Sequence, residues 1–431
     1  MGSAYGKLKA RIRFSPRNQL NEKIVLNKPR ESNIGRLILL ALSLAVAYGV
    51  WYSYSVFLVA LSTEYQWSRS TLAAAFSIFA LVHGLANPIV GRLSDRYDPA
   101  LLMFFGALGI FLSLYYVSFL NSPSELFLGF GFFAAISVSF CGWAPSLVQV
   151  HNNYKENLGF AIGFISSGIG VGMLVIVPLV QILIDFFGWR EAFKLLAIMC
   201  LLTIAPIGIF LYFKPFQSKP LHVNGVKPNL TNLTESSNLT INRAIRSKTF
   251  WLIIGAFFFG SMGSQILHVH QVAFLVESGI TSLAAASVVS IVGISSILGK
   301  TGGGWLSDFI EREVVFISGN FLMILSVSVL FFAGGLSSLS LAYFFALLLG
   351  VGYSANAAIA PAIISDSFDG PNFGSLLGFG LFASAMGASL GPLIAGELYD
   401  FFGAYDIPLL LASICGFFAL AMGWGIKKFK N

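Results

Sequence analysis

Charge is what this sequence has least of. Only 10% of its 431 residues are Asp, Glu, Lys or Arg, against about 25% in a soluble domain. That leaves too little polar surface to keep a chain of this length folded in water. Cysteine is scarce as well. Cys141, Cys200 and Cys415 each lie inside an apolar run, which excludes a disulfide framework. No Gly-rich loop ending in Lys-Ser or Lys-Thr follows a soluble strand, so nucleotide-driven chemistry has no support. No catalytic group, metal or cofactor is expected. What the chain has in excess is apolar bulk: 56% hydrophobic residues with 42 Phe, and a mean hydropathy of +0.80. Disorder is excluded by those numbers. The formal charge of +7 resides in tails and loops between apolar runs, which argues against nucleic acid as a partner. The sequence describes an integral membrane protein whose surroundings are the lipid bilayer.

A helix crosses about 30 Å of hydrocarbon in roughly 20 residues. Twelve apolar runs of that kind are centred near residues 48, 81, 109, 136, 171, 202, 262, 293, 324, 350, 384 and 416. Their continuity excludes a β-barrel, whose strands alternate in polarity over about 10 residues. Basic residues set the orientation. Of the 26 Lys and Arg, 22 fall on one side: in the segment to Arg36, in the 214–248 linker, in the last residues, and at Arg92, Arg96, Lys155 and Arg312. The positive-inside rule puts both termini and the linker in the cytoplasm of a cell whose inner membrane holds the chain. Three Asn-Leu-Thr sequons at Asn229, Asn232 and Asn238 then lie on the wrong side for glycosylation and read as chance. The expected organisation is a cytoplasmic segment 1–35, a six-helix bundle 36–213, a linker 214–248, a second bundle 249–428 and a tail 429–431.

The two bundles echo each other. Gly91-Arg92-Leu93-Ser94-Asp95 recurs as Gly304-Trp305-Leu306-Ser307-Asp308, and Asp185-Phe186-Phe187-Gly188 recurs as Asp400-Phe401-Phe402-Gly403, at offsets of 213 and 215 residues. Duplicated halves are the sequence mark of an alternating-access transporter. Gly91 permits close helix approach, and Asp95 with Arg96 can pair with helix ends at the cytoplasmic face. Gly91, Arg92, Asp95, Arg96, Gly304 and Asp308 are therefore candidate gating residues.

On these motifs the chain resembles the major facilitator superfamily along nearly its whole length. Its signature is intact from Gly91 to Arg96, while Asp98 and Pro99 stand where a second Gly and basic residue are usual. Within the superfamily it is most similar to the monocarboxylate-transporter and oxalate/formate-antiporter group. The likeness rests on Tyr48-Gly49-Val50, Ser55-Val56-Phe57 and Trp67-Ser68-Arg69-Ser70, on His270 followed by Gly279, and on Tyr154, Ala161, Gly163 and Gly168. It departs at Glu156 and Asn157, which replace paired basic residues. The resemblance implies an all-α fold of twelve transmembrane helices in two pseudo-symmetric six-helix bundles, and an activity in which a small organic anion, of the monocarboxylate class, is carried by alternating access with protons as the candidate coupling ion.

Ionisable and amide groups inside the spans are the candidate site. Lys300 lies well inside span 8, where an ammonium costs about 2.5–3.5 kcal/mol to insert. By resemblance this position carries an Arg that meets the substrate carboxylate. His268 and His270 in span 7 are about 200° apart on a helix and do not share a face. Ser261, Gln265, His268 and Gln271 form a polar stripe that favours His268 in the cavity, whereas the resemblance favours His270, and the choice stays open here. Tyr48, Tyr52, Tyr353 and Asn356 are further candidate substrate contacts. Tyr52 and Ser296 occupy positions where the resemblance leads one to expect a Lys and an acid, so proton coupling would fall on His268, His270 or Lys300. His83, beside Asn87 and Pro88, reads as structural. The chain is expected to work as a monomer. An exporter of amphiphilic or siderophore-like compounds is the alternative on the same fold. A non-transporting nutrient sensor ranks low, because the linker is too short to hold a signalling domain.

Overall fold

The computed structural model describes residues 34–153, 158–213, 243–307, 309–368 and 373–430. The expected N-terminal segment (apart from its last two residues), most of the linker and all three sequons lie outside the described residues. Among the described residues every regular element is helical. In chain order they are α1 (Ile34–Tyr65), α2 (Arg69–Arg96), α3 (Pro99–Val117) and α4 (Pro123–Val150). A continuous helix Leu158–Phe213 is broken at Gly188 into α5 (158–187) and α6 (189–213). The second half holds α7 (Lys248–Glu277), α8 (Ser282–Leu306), α9 (Arg312–Gly335), α10 (Leu339–Ser367), α11 (Phe373–Phe402) and α12 (Asp406–Lys430). Eleven of these twelve are long and apolar enough to span a bilayer once α5 and α6 are separated, and α10 completes the set with an apolar stretch over Leu339–Ser354.

Local chemistry sets many of the breaks. Ser68, Asp98 and Ser247 cap α2, α3 and α7, their side chains accepting hydrogen bonds from Thr71, Ala100 and Phe250 N–H at 3.1, 2.8 and 3.2 Å. These bonds satisfy donors that have no partner inside the helix. The Phe-Phe-Gly part of the repeated motif behaves alike in each half. Gly188 and Gly403 both adopt positive φ, 79° and 70°, a backbone state that glycine enters without steric cost. Phe186, Phe187, Phe401 and Phe402 are all exposed.

Alternating helix directions place residue 34, residues 213 and 243, and residue 430 on one face, called here the linker face; the opposite one is the far face. The halves meet along α2–α11, α5–α8 and α1–α7. At α5–α8 the backbones touch. A Cβ on Gly293 would come within 2.5 Å of the Gly170 carbonyl oxygen, and one on Gly170 within 2.6 Å of the Gly293 carbonyl. Ser290 Oγ donates to Leu174 O at 3.0 Å in the same seam. At the far end of α2–α11, the Asp400 carboxylate accepts hydrogen bonds from the backbone N–H groups of Arg69 and Ser70, each at 2.8 Å. Around it the Arg69 guanidinium lies 5.5 Å over the Tyr399 ring, and the Tyr399 hydroxyl donates to Glu277 Oε2 at 2.9 Å. The two halves are thus joined at the far face and along the middle of the molecule.

Candidate functional site

Lys300 sits six residues before the linker-face end of α8, about 9 Å by helical rise. It is half-buried and makes no ion pair among the described residues. One turn earlier Ser296 is fully buried, its hydroxyl donating to Gly293 O at 2.8 Å. Tyr353 of α10 lies nearby, its hydroxyl 3.9 Å from Met173 Sδ of α5. His268 of α7 completes the group. Its ring packs edge-on to Tyr353 at 4.7 Å and tilted against Tyr52 at 5.3 Å, within electrostatic reach of Lys300. Helices from both halves therefore bring His268, Tyr52 and Tyr353 together, with Lys300 on the neighbouring α8.

The two histidines differ in what their nitrogens do. His268 Nδ1 lies 2.7 Å from the Ser264 carbonyl, which only accepts, so Nδ1 carries the proton and the neutral ring presents Nε2 as an acceptor. That Nε2 is buried without a partner among the described residues. His270 is satisfied at both ends. Its Nε2–H donates to Pro392 O at 3.0 Å and its Nδ1 faces the Tyr405 hydroxyl at 3.4 Å. Burial in the α11–α12 turn pushes the Tyr405 hydroxyl pKa up, so it stays a donor to that nitrogen. The polar partners of His270 come from α11 and the turn after it, elements distant in sequence. His270 ties α7 to α11, while His268 faces the junction of the halves.

Below this group a cavity of about 290 Å³ runs toward the linker face between α7, α9, α10 and α11. Its walls are mainly apolar, with Phe257, Phe316 and Leu377, and its polar stripe is Ser261, Ser264 and Gln265 on α7, with Tyr353 at the inner end. Gln265 Oε1, Gln271 Oε1 and Asn320 Oδ1 share the state of His268 Nε2: buried, with no hydrogen-bond partner among the described residues. An orphaned buried acceptor costs about 1–3 kcal/mol, and such atoms in a folded protein call for water or a ligand.

The other candidates lie elsewhere. Tyr48 packs near Trp51 and His83, at 6.2 and 6.0 Å between ring centroids, one turn before Tyr52 in α1. His83 is held by Asn87 Nδ2 at 3.2 Å and stacked on Phe79. Gly91, Arg92, Arg96 and Gly304 stand at the linker-face ends of α2 and α8, with both arginines exposed. The side chains of Asp95, Asp308 and Asn356 lie outside the described residues, as does Tyr154. Sequence reading missed Asn320 and Ser264. An Asn in the middle of an apolar helix was a usable signal for the first; for Ser264 only the fold supplies one.

Two six-helix halves, duplicated in sequence and packed about a central polar group, define a polytopic membrane transporter. The chain belongs to the Major Facilitator Superfamily, whose family model matches residues 40–300 and 271–428. It is similar to monocarboxylate transporter 13 of Rattus norvegicus, 26% identical over 386 residues covering 88% of this chain and 84% of that protein. Similarity to monocarboxylate transporter 12 of Xenopus laevis is 25% over 400 residues, covering 88% and 84%. Among solved structures it resembles a bacterial homologue of the human lysosomal transporter Spinster. Two inward-facing forms of that protein, one occupied and one unoccupied, superpose with TM-scores of 0.67 and 0.70 at 16% identity; both cover 92% of this chain, and 97% and 98% of theirs. That likeness concerns the fold.

Proposed function

We propose that the protein carries small organic monoanions, with monocarboxylates as the class, by alternating access across a membrane whose cytoplasmic side is the linker face. Lys300 carries this reading: a cation inside a span, without an ion-pair partner among the described residues, beside a group of hydroxyl and imidazole side chains drawn from both halves. Intramembrane ionisable groups are functional by default. An ammonium there binds a carboxylate as a point charge. Tyr52, Tyr353 and Ser296 supply hydroxyls around it, and the relatives at 25–26% identity are named for monocarboxylates.

The cycle follows from the seams. With α2–α11 and α5–α8 closed toward the far face, the cavity below Tyr353 admits substrate from the linker side. Rocking of the halves would break the Asp400 bonds and bring together the linker-face ends that carry Arg92, Arg96 and the two Gly-x-x-x-Asp repeats. His268, with a bare Nε2 near Lys300, is the group best placed to take a proton during that cycle.

The test is uptake of labelled lactate and pyruvate into proteoliposomes, with and without an imposed pH gradient. The wild type should accumulate both, more so with the inward proton gradient. Lys300→Gln should lose uptake while inserting and purifying normally, and Lys300→Arg should keep part of it. Full uptake by Lys300→Gln would refute the reading.

A further inference from the structure

We infer that a groove between α7 and α11, at the linker-face end of both helices, binds an anionic phospholipid: one acyl chain lies in the groove, and the headgroup phosphate meets Arg243, Arg246 and Lys248. The site is separate from Lys300 and does not depend on what the protein carries.

The groove comes from matched spacing on two helices that run parallel. α7 contributes Trp251, Gly255 and Phe258, and α11 contributes Phe379, Ala383 and Met386. Each set falls at i, i+4 and i+7, on one face of its helix, and each places a small residue between two large ones. The result is a trough of about 470 Å³ that runs about 10 Å along the helix axes. Trp251 and Phe379 on its walls are 59% and 45% exposed, while Ala383 on its floor is 7% exposed. The cavity residues Leu377 and Leu381, and Ala385, which meets α2 at Gly84, lie on the other side of the α7–α11 contact. The trough therefore opens to the lipid.

The polar end is built into the turn ahead of α7. Trp251 Nε1 donates to Ile245 O at 2.9 Å, which ties that turn to the helix, and Ile245 itself lines the trough. Arg243, Arg246 and Lys248 are thereby held at its linker-face mouth. All three are exposed, and none has an ion-pair partner among the described residues. No Asp or Glu occurs between residues 243 and 276 or between 371 and 396. Glu311 and Asp366, acids of the same face, are engaged by Lys427 and Arg312. Within a bilayer an apolar wall gives no hydrophobic preference for one lipid over another. Selectivity therefore falls to the cations, each of which attracts an anionic headgroup. The trough adds contact along the sides of the chain, which a flat helix face does not provide.

Trp251 is its own reporter. Its fluorescence, taken as the difference between the wild type and Trp251→Phe, is followed in phosphatidylcholine vesicles. These contain rising fractions of chain-brominated phosphatidylglycerol or of chain-brominated phosphatidylcholine. Half-maximal quenching should need about tenfold less of the anionic lipid. The double variant Arg243→Gln, Arg246→Gln should bring the two lipids within about twofold of each other, and Lys194→Gln on the far face should leave the preference intact. Ala383→Leu, which fills the floor, should weaken quenching by both. Mass spectrometry of the wild type released from nanodiscs of mixed lipid reads the same preference without any variant, as retained phosphatidylglycerol. Equal behaviour of the two lipids in the wild type, or a preference untouched by the double variant, would overturn the headgroup site. Quenching unmoved by Ala383→Leu would remove the chain from the trough. Relief of quenching by soluble glycerol 3-phosphate would assign the cations to a free phosphate and overturn the lipid.

Discussion

Asp400, the last polar residue of α11, is bonded through both carboxylate oxygens to the first N–H groups of α2, at Arg69 and Ser70. Its repeat-related partner does something else. The Asp185 side chain accepts from Gln181 Nε2 at 2.8 Å, within its own helix. A carboxylate at a helix N-terminus gains from the bare N–H groups and the helix dipole together, so one acid of the pair holds the far face shut.

Asp400→Ala should therefore favour the state open to the far face. Losing two charge-assisted bonds at an exposed site shifts that equilibrium by about tenfold. Spin labels at Gln66 and Ala404 would report it as a longer distance population. Asp185→Ala, by contrast, should leave that distance unchanged. Equal effects of the two variants would deny Asp400 its special place.

The α5–α8 seam should resist any side chain. Because a Cβ at Gly293 or Gly170 would strike the opposing carbonyl at 2.5 or 2.6 Å, Gly293→Val should force the helices apart at about 1–3 kcal/mol. Turnover should fall more than substrate affinity, since the seam is far-face closure and not a substrate contact. Gly335→Val is the control: nothing lies within 4 Å of a Cβ there.

His268 and His270 should separate by assay. His270→Phe removes a ring whose two nitrogens are both bonded, leaving the buried Tyr405 hydroxyl unpaired, and should lower thermal stability by about 1–3 kcal/mol. His268→Phe removes an orphan acceptor, and should leave the melting temperature near that of the wild type while reducing gradient-driven uptake severalfold. The opposite pattern would exchange their roles.

Charge counting gives a fourth expectation. Lys300 is the only Lys or Arg in the middle of a span, and residues 371–396 contain neither. One ammonium offsets one carboxylate, and an unpaired second one in low dielectric costs about 3–5 kcal/mol. Lactate should be taken up faster than oxalate at equal concentration; faster oxalate uptake would sink the single-cation account.

What the sequence by itself determined was the membrane class, the twelve spans, the duplication and the family likeness, because hydrocarbon imposes a length and an apolar composition on every helix that crosses it. Lys300 was legible for the same reason: a charge in an apolar run stands out without any knowledge of its neighbours. The polar stripe Ser261–Gln265–His268 was legible from the 3.6-residue period. What that period could not say was which face meets a partner. In a bilayer, lipid and protein are equally apolar neighbours, so hydrophobicity does not mark the inside of a bundle as it does in water. Only the tertiary structure gave His270 its bonds to Pro392 and Tyr405, placed Tyr353 between His268 and the cavity, and chose Asp400 over Asp185 as the far-face latch. Each of those contacts joins residues on different elements, far apart in the sequence, and their register is set by the packing of helix on helix, which no local run of residues encodes.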